Sequence, residues 1–457
     1  MGRIVVGEDK IFPELVRLGK TDGIIPGLIL GQTSGQKDFI VHLAKTPLPA
    51  EKATKLGNDV SGDLRNIQRK SVGKINEIQD SWLVDHAIQV TRMLPGGMWV
   101  LGVFVTGPGD VFADSVSQAK LAALLQALNK GLGKNSRLYG NSPTTEKLAL
   151  HLISGTNKFS CKSLDITSSG IQFRATDCKF TSGLRWHELN TQYDCDLLAP
   201  HLITAELKNQ PLKKHLQNVL DIVQHGVLKA LCVIDGEVKD GEATLEVTDI
   251  SKNGKQIKKS EESKTYQVDL YIPSDPREPQ LTMSSVEGEM KCTGVMASRV
   301  YLHQKATFAE AFKAVKEDII RSFAARVEMH CDSLVEEEEG SPDEMMVVHE
   351  PPRRVLIPLP HSRVALSDYL FPGEGPSEAL VSILDLIGVK VSESAVYKDF
   401  EGQPDQSDLY NLTTSADSQK SDESSVSSSG PSVFITLGII LATLVLVLSL
   451  FIQFYLK

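Results

Sequence analysis

Residues 98–110 read MWVLGVFVTGPGD, an apolar run closed by a glycine- and proline-rich turn. The β-branched content and the breakers at its end predict a buried strand over Met98–Thr106, with Gly107-Pro108-Gly109-Asp110 turning the chain. Ser115 to Asn129 follows as an amphipathic helix with Leu121, Leu125 and Leu128 inward. Upstream, Ile75, Ile78 and Trp82 recur at helical spacing and predict a helix running to Leu94, where Pro95-Gly96-Gly97 stops it. Before it, Gly27–Gly31 (GLILG) and Phe39–Leu43 (FIVHL) flank a polar connection from Gln32 to Asp38, the pattern of a β-hairpin. Hairpin, helix, strand, turn and helix in this order predict a mixed α/β (α+β) fold.

Working downstream, a strand over Lys147–Ser154 completes a first domain, assigned to residues 1–158. A second mixed α/β region is expected over 159–400. It holds a short strand Ile171–Ala175, a helix between Pro211 and His225, and an apolar run Leu228–Ile234. Strands Tyr266–Ile272 and Gly294–Leu302 follow. Phe308, Phe312, Val315, Ile319, Phe323 and Val327 then form the clearest helical stripe in the chain, read as core-facing. Arg353–Pro358 (RRVLIP) reads as an edge strand, because proline cannot donate within a ladder. Pro376–Ile387 is the last globular helix. Residues 401–432 are Ser- and Asp-rich without apolar periodicity, which predicts a flexible linker.

Residues 433–456 read VFITLGIILATLVLVLSLFIQFYL, 24 residues without a charge. As a helix they extend roughly 36 Å, enough for a hydrocarbon core of about 30 Å. Val433, Phe434, Ile435, Ile439, Ile440, Leu441, Leu444, Leu446, Leu448, Leu450, Phe451 and Ile452 supply its apolar surface. Only Lys457 follows, so the expectation is a tail anchor inserted after translation, with the preceding domains in the cytosol. The amino terminus lacks the features of a signal peptide.

A net charge of −10 argues against nucleic-acid binding through bulk electrostatics. Six cysteines at 161, 178, 195, 232, 292 and 331 include no CxxC pair and read as buried thiols, the equal steps between the first three as coincidence. Gly31–Asp38 (GQTSGQKD) fails the phosphate-loop register at Gln36 and Asp38. The lysine-rich stretch within Asp249–Lys264 reads as a solvated loop. No HExxH or GxSxG is present, and His303, His330 and His361 read as structural or surface histidines.

The hairpin, helix, GVFVTGPG turn and following helix resemble the MPN fold. In active members a zinc-dependent isopeptidase motif, His-x-His-Pro-x6-Ser-x2-Asp, occupies this turn, and a glutamate on the first strand is the general base. On this sequence the two histidine positions hold Val105 and Gly107, and Ser115 falls at the serine. Gln118 stands at the aspartate and Ile24 at the glutamate. Such a set offers zinc no useful ligand. The resemblance therefore implies an MPN-like scaffold with no metal, no cofactor and no catalytic residue.

Over most of its length the chain resembles the odorant-response-abnormal protein four family. The GLILGQTSGQKDFIVHLAKTP hairpin, the LPGGMWVLGVFVTGP segment, the PRRVLIPLP strand and the terminal apolar stretch carry the likeness. The resemblance implies a non-enzymatic tail-anchored adaptor of the endoplasmic reticulum membrane. Its partners would be a ubiquitin-fold-modifier protease, which it localises, and G-protein-coupled receptor clients such as odorant receptors. Three alternatives compete with that reading. An MPN-type isopeptidase is disfavoured by the missing ligands, and a SNARE-type tether by the absence of heptads before the anchor. A receptor chaperone acting through its anchor would rest on Gln453 and on the small residues Gly438, Ala442 and Ser449.

Overall fold

The computed structural model describes residues 2–20, 23–47, 72–168, 170–194, 201–204, 207–246, 263–273, 286–290, 294–333 and 351–401. The predicted anchor and all but the first residue of the predicted linker lie outside the described residues, as do most of the lysine-rich stretch and the acidic loop before Pro351. Among the described residues no helix is long and apolar enough to cross a membrane.

The predicted hairpin is β2 (Ile25–Ser34) and β3 (Lys37–Lys45), tighter than the sequence suggested, with only Gly35-Gln36 at the turn. Its register shifts at Gly31, where a Cβ would sit 2.0 Å from the Phe39 carbonyl oxygen; only glycine fits that bulge. The helix expected from Ile75 is split. Ile75–Glu77 forms one 3-10 turn, Gln79 is extended, and α2 runs over Asp80–Met93. β4 (Trp99–Gly107) is buried along its whole length, and α3 spans Ser115–Leu132.

Two elements at the amino terminus went unread: β1 (Ile4–Glu8) and α1 (Ile11–Leu18). With β5 (Glu146–Ile153), β6 (Phe159–Asp165), β7 (Phe173–Ala175) and β8 (Asp177–Thr181) they complete one eight-stranded sheet, ordered β7-β6-β5-β4-β2-β3-β1-β8. Its two end strands, β7 and β8, are consecutive in the chain and separated by Thr176 alone. The sheet therefore curls until one stretch of chain borders both β6 and β1. The boundary expected at 158/159 falls between β5 and β6, which are paired neighbours in this sheet. One face of it buries Val5, Ile40, Phe104 and Leu150 with α1. The other buries Leu28, Val103 and Val105 against α2 and α3.

A second sheet, ordered β11-β12-β9-β14, is built from β9 (Trp186–Asp194), β11 (Leu231–Ile234), β12 (Thr265–Tyr271) and β14 (Val295–His303). β10 (His201–Thr204) and β13 (Val286–Met290) form a separate pair. The second sheet packs on α4 (Leu212–Lys229) and α5 (Phe308–Ser333). The α5 stripe is core as read: Phe308, Val315, Ile319 and Phe323 are buried, while Phe312 and Val327 pack against that core from its margin. β15 (Arg353–Pro358) pairs with β16 (Ala365–Leu370), and this hairpin joins the first core with α6 (Pro376–Leu386).

Candidate functional site

The five positions singled out by the resemblance lie before β2, at the end of β4 and at the start of α3. β2 and β4 run antiparallel with Ile25 opposite Thr106, which brings Ile24 beside Gly107. A Cβ at Gly107 would lie 3.1 Å from Ile24 Cγ1, so those two motif positions share one apolar spot. Val105 is 1% exposed in the same core. Ser115 is exposed in the first turn of α3, whose N-cap is Asp114, accepting from Val116 N–H and Ser117 N–H. Gln118 Nε2 donates to the Phe112 carbonyl at 2.8 Å. Ile24, Val105 and Gly107 are thus brought together, while Ser115 and Gln118 belong to the start of α3.

One polar group near this turn escaped the sequence reading. His151 on β5 is the register partner of Val105 and is 1% exposed. Its Nδ1 stands 3.7 Å from Asp110 Oδ1, and Phe112 meets the ring edge-on. Burial lowers its pKa, the Asp110 carboxylate opposing, so the ring is neutral near pH 7. One imidazole and one carboxylate fall short of the three protein ligands of a catalytic zinc. Among the described residues no group of three or more His, Cys, Asp or Glu could hold a metal. The residues present do not fit a zinc centre.

The densest polar chemistry lies elsewhere, where α5, β14 and β15 meet. Arg354 on β15 donates to both Asp318 oxygens, Nη1 to Oδ2 at 2.6 Å and Nη2 to Oδ1 at 2.9 Å, with both side chains 2% exposed. Asp318 also accepts from Ser298 Oγ and from Gly96 N–H, the latter at 2.8 Å. A Cβ at Gly96 would come within 2.0 Å of the Ala314 carbonyl oxygen, so the Pro95-Gly96-Gly97 turn lies directly on α5. Burial alone would raise the Asp318 carboxyl, but Arg354 and the donors hold it below its usual range.

Glu401 completes this clasp. It accepts from Ala297 N–H and Arg354 N–H, each at 2.9 Å, and from Arg326. The residue expected to open a solvated linker is 4% exposed and bound by three donors. One turn N-terminal to Arg321, Glu317 is half-buried with both carboxylate oxygens shielded from solvent, and desolvation pushes its carboxyl up to about 7. His303 is no candidate acid or base. It stacks on Phe39 with ring centroids 3.7 Å apart, and burial pulls it down to about 3. A cavity of about 630 Å³ lies between the second sheet and residues 394–400. Across its floor Gln267, Asn190 and Arg299 stand in register, and Arg299 is already paired with Glu188 at 3.3 Å.

Fold and site together describe a mixed α/β protein whose buried ion pairs join two sheets, with apolar side chains at the turn after β4. The chain belongs to the odorant response abnormal 4-like family, whose model matches residues 27–398. Among its relatives, the Homo sapiens "Protein odr-4 homolog" is 28% identical over 400 residues, covering 85% of this chain and 83% of its own. The Xenopus laevis protein of the same name is 26% identical over 485 residues, covering 100% and 99%. The Caenorhabditis elegans "Odorant response abnormal protein 4" is 24% identical over 331 residues, covering 71% and 66%. A crystal structure of UfSP from C. elegans aligns over 85% of this chain and 57% of its own at 9% identity and a TM-score of 0.38, a likeness too low to carry an argument.

Proposed function

We propose that this chain is a non-enzymatic adaptor, anchored in the endoplasmic reticulum membrane by residues 433–456, with an inert MPN-like amino-terminal scaffold. In this reading it binds and localises a ubiquitin-fold-modifier protease and supports the folding or trafficking of G-protein-coupled receptors such as odorant receptors. The observation that carries it is the family match over residues 27–398; the packing at the motif turn, where a Cβ at Gly107 would meet Ile24 and Val105 is buried, supports only its non-enzymatic part. Neither ligand nor general base can come from these side chains. Family membership supports the receptor role, since "odorant response" stands in the worm relative's own name. The charge-free 433–456 stretch supports the anchor.

The test is recovery of the full chain, tagged and solubilised in mild detergent, with its bound proteins identified. Co-recovery of a modifier protease, and its release from membranes when 433–457 is deleted, is the expected result. Failure to recover such a protease overturns the adaptor reading. A tag placed after Lys457 that stays open to cytosolic protease in intact microsomes overturns the anchor.

A further inference from the structure

The second sheet packs on α4 and α5 through one face, the face of Leu189, Tyr193, Val268 and Val300. On the other face, Leu231 of β11 is the register partner of Tyr271 on β12, and Asp194 of β9 is the partner of Val295 on β14. β9 and β12 run parallel with Asn190 opposite Gln267, and Asp194 and Tyr271 each lie four residues further along. These four residues therefore share one end of the sheet, and the two-residue alternation of strands turns them to the side of Asn190, Gln267 and Arg299. Three of them are large, apolar and exposed: Tyr271 at 59%, Leu231 at 52% and Val295 at 49%. Leu228, in the last turn of α4 just before β11, adds a fourth at 56%. A lone exposed leucine needs no explanation, but such side chains gathered at one end of one sheet mark a contact surface. The folded body also releases the chain at this end. Glu401, the last described residue, accepts from the N–H of Ala297, two residues from Val295. Residues 402–432 follow with the composition of a linker, and a linker of that length reaches on the order of 30 Å. Next comes the charge-free 433–456 stretch.

We infer that this end of the second sheet rests on the lipid interface of the bilayer that holds residues 433–456, with Leu228, Leu231, Tyr271 and Val295 at headgroup level. The inference rests on the anchor proposed above. The side chains suit that layer: a tyrosine ring is apolar with one polar tip, and such rings collect where hydrocarbon meets water. Charge adds no pull toward anionic lipid, because Lys229 beside Leu228 is offset by Asp194 and Asp269 on the strands. The contact is therefore apolar, indifferent to salt and to phosphatidylserine. Four side chains are too few to hold a protein of this size on a bilayer without an anchor. Their effect is orientation. They set the open face of the sheet, and the cavity over Asn190, Gln267 and Arg299, against the membrane instead of leaving the body to tumble on its tether.

The experiment reconstitutes the full chain in phosphatidylcholine vesicles, with and without bromine on the upper acyl chain, and reads tryptophan emission. Tyr271→Trp places a reporter in the row, and Val116→Trp places one at a comparably exposed position on α3. Both substitutions are on the surface, so the fold should survive them. Brominated lipid should quench roughly half of the emission added by Tyr271→Trp, as for a ring at headgroup level, and leave that of Val116→Trp unchanged. The quenching should be the same at low and high salt, and should fall when Leu231→Ser and Val295→Ser are added. Flotation with the vesicles is read first. A chain that does not float refutes the anchor, and the inference with it. A chain that floats while Tyr271→Trp is quenched no more than Val116→Trp overturns the inference alone and leaves the anchor standing. Quenching that appears only with phosphatidylserine overturns the apolar contact. So does Tyr271→Trp emission that responds to a co-recovered protein and not to the lipid.

Discussion

At the end of β4, Gly107 lies beside Ile24 closely enough that an added Cβ would crowd it, and Val105 is buried in an apolar core. At the clasp between α5 and β15, Asp318, Arg354, Arg326 and Glu401 crowd together with under a tenth of each side chain exposed. The contrast separates two uses of polar residues. At the turn this chain places side chains that only pack. At the clasp it buries four charged groups whose bonds to one another and to backbone N–H groups hold β14, β15 and α5 in one arrangement. Buried ion pairs are weak evidence for net stability, but breaking one from a single side leaves an unpaired charge.

The largest expected effect follows from that asymmetry. Asp318→Ala strands Arg354 at 2% exposure and should cost about 3–5 kcal/mol in urea unfolding. Gln118→Ala at the turn, losing one hydrogen bond to a loop carbonyl, should cost about 1 kcal/mol. Equal losses would show that the clasp is no more a structural centre than the turn. The pH dependence has a defined sign. Because the Asp318 carboxyl is held low in the folded state, its contribution is present above the unfolded aspartate pKa and is lost as pH falls through the folded value. Asp318→Ala should flatten that acid limb.

Glu317 should behave in the opposite sense. Its folded pKa, raised from 4.5 to about 7, means the folded protein holds the proton more tightly than the unfolded chain does. Stability therefore falls as pH rises from about 4.5 to 7 and is level above that window. Glu317→Gln should remove the slope and stabilise the protein at pH 8 by up to about 3 kcal/mol. An unchanged pH profile would show that the carboxylate is solvated after all. Glu401→Ala comes next, with a loss of about 2 kcal/mol for removing charge-assisted bonds to Arg326 and two backbone donors. A loss near zero would return residue 401 to the linker.

The same contrast explains what was legible in the sequence. β4, the hairpin and α3 announce themselves locally, through apolar runs and the glycines that end them. The α5 stripe from Phe308 is legible for the same reason, because its period is carried by the residues themselves. The clasp is not, since its bonds join residues 36, 75 and 104 positions apart, and Glu401 opens a segment whose average composition is that of a linker. β1 and α1 are short, and Pro13 in the first turn of α1 hides an otherwise good apolar face. His151 is a single imidazole inside LALHLI, indistinguishable in sequence from any core histidine. The closing of the sheet through Thr176, whose hydroxyl donates to the Cys161 carbonyl, is encoded by no local spacing. The motif positions could be assigned only through family resemblance, because an absence of ligands has no signature of its own.

The smallest expected effect is the sharpest test of the turn. Ser115 and Asp114 are neighbours at the start of α3, yet the structure gives them different work. Asp114 accepts from Val116 N–H at 3.2 Å and Ser117 N–H at 2.9 Å, so it supplies the cap that a helix start requires. Ser115 is exposed in the turn that follows. Asp114→Ala should therefore cost about 1 kcal/mol, and Ser115→Ala should stay within about 0.5 kcal/mol, as surface substitutions away from special features do. On the proposed adaptor reading, partner recovery should be unchanged in Ser115→Ala, because the Ser115 hydroxyl makes no bond described in the structure. A Ser115→Ala variant that folds normally but no longer binds its partner would mean that the start of α3 is a contact surface. A variant as unstable as Asp114→Ala would mean that the serine holds the loop, and the division between capping residue and exposed neighbour would fail.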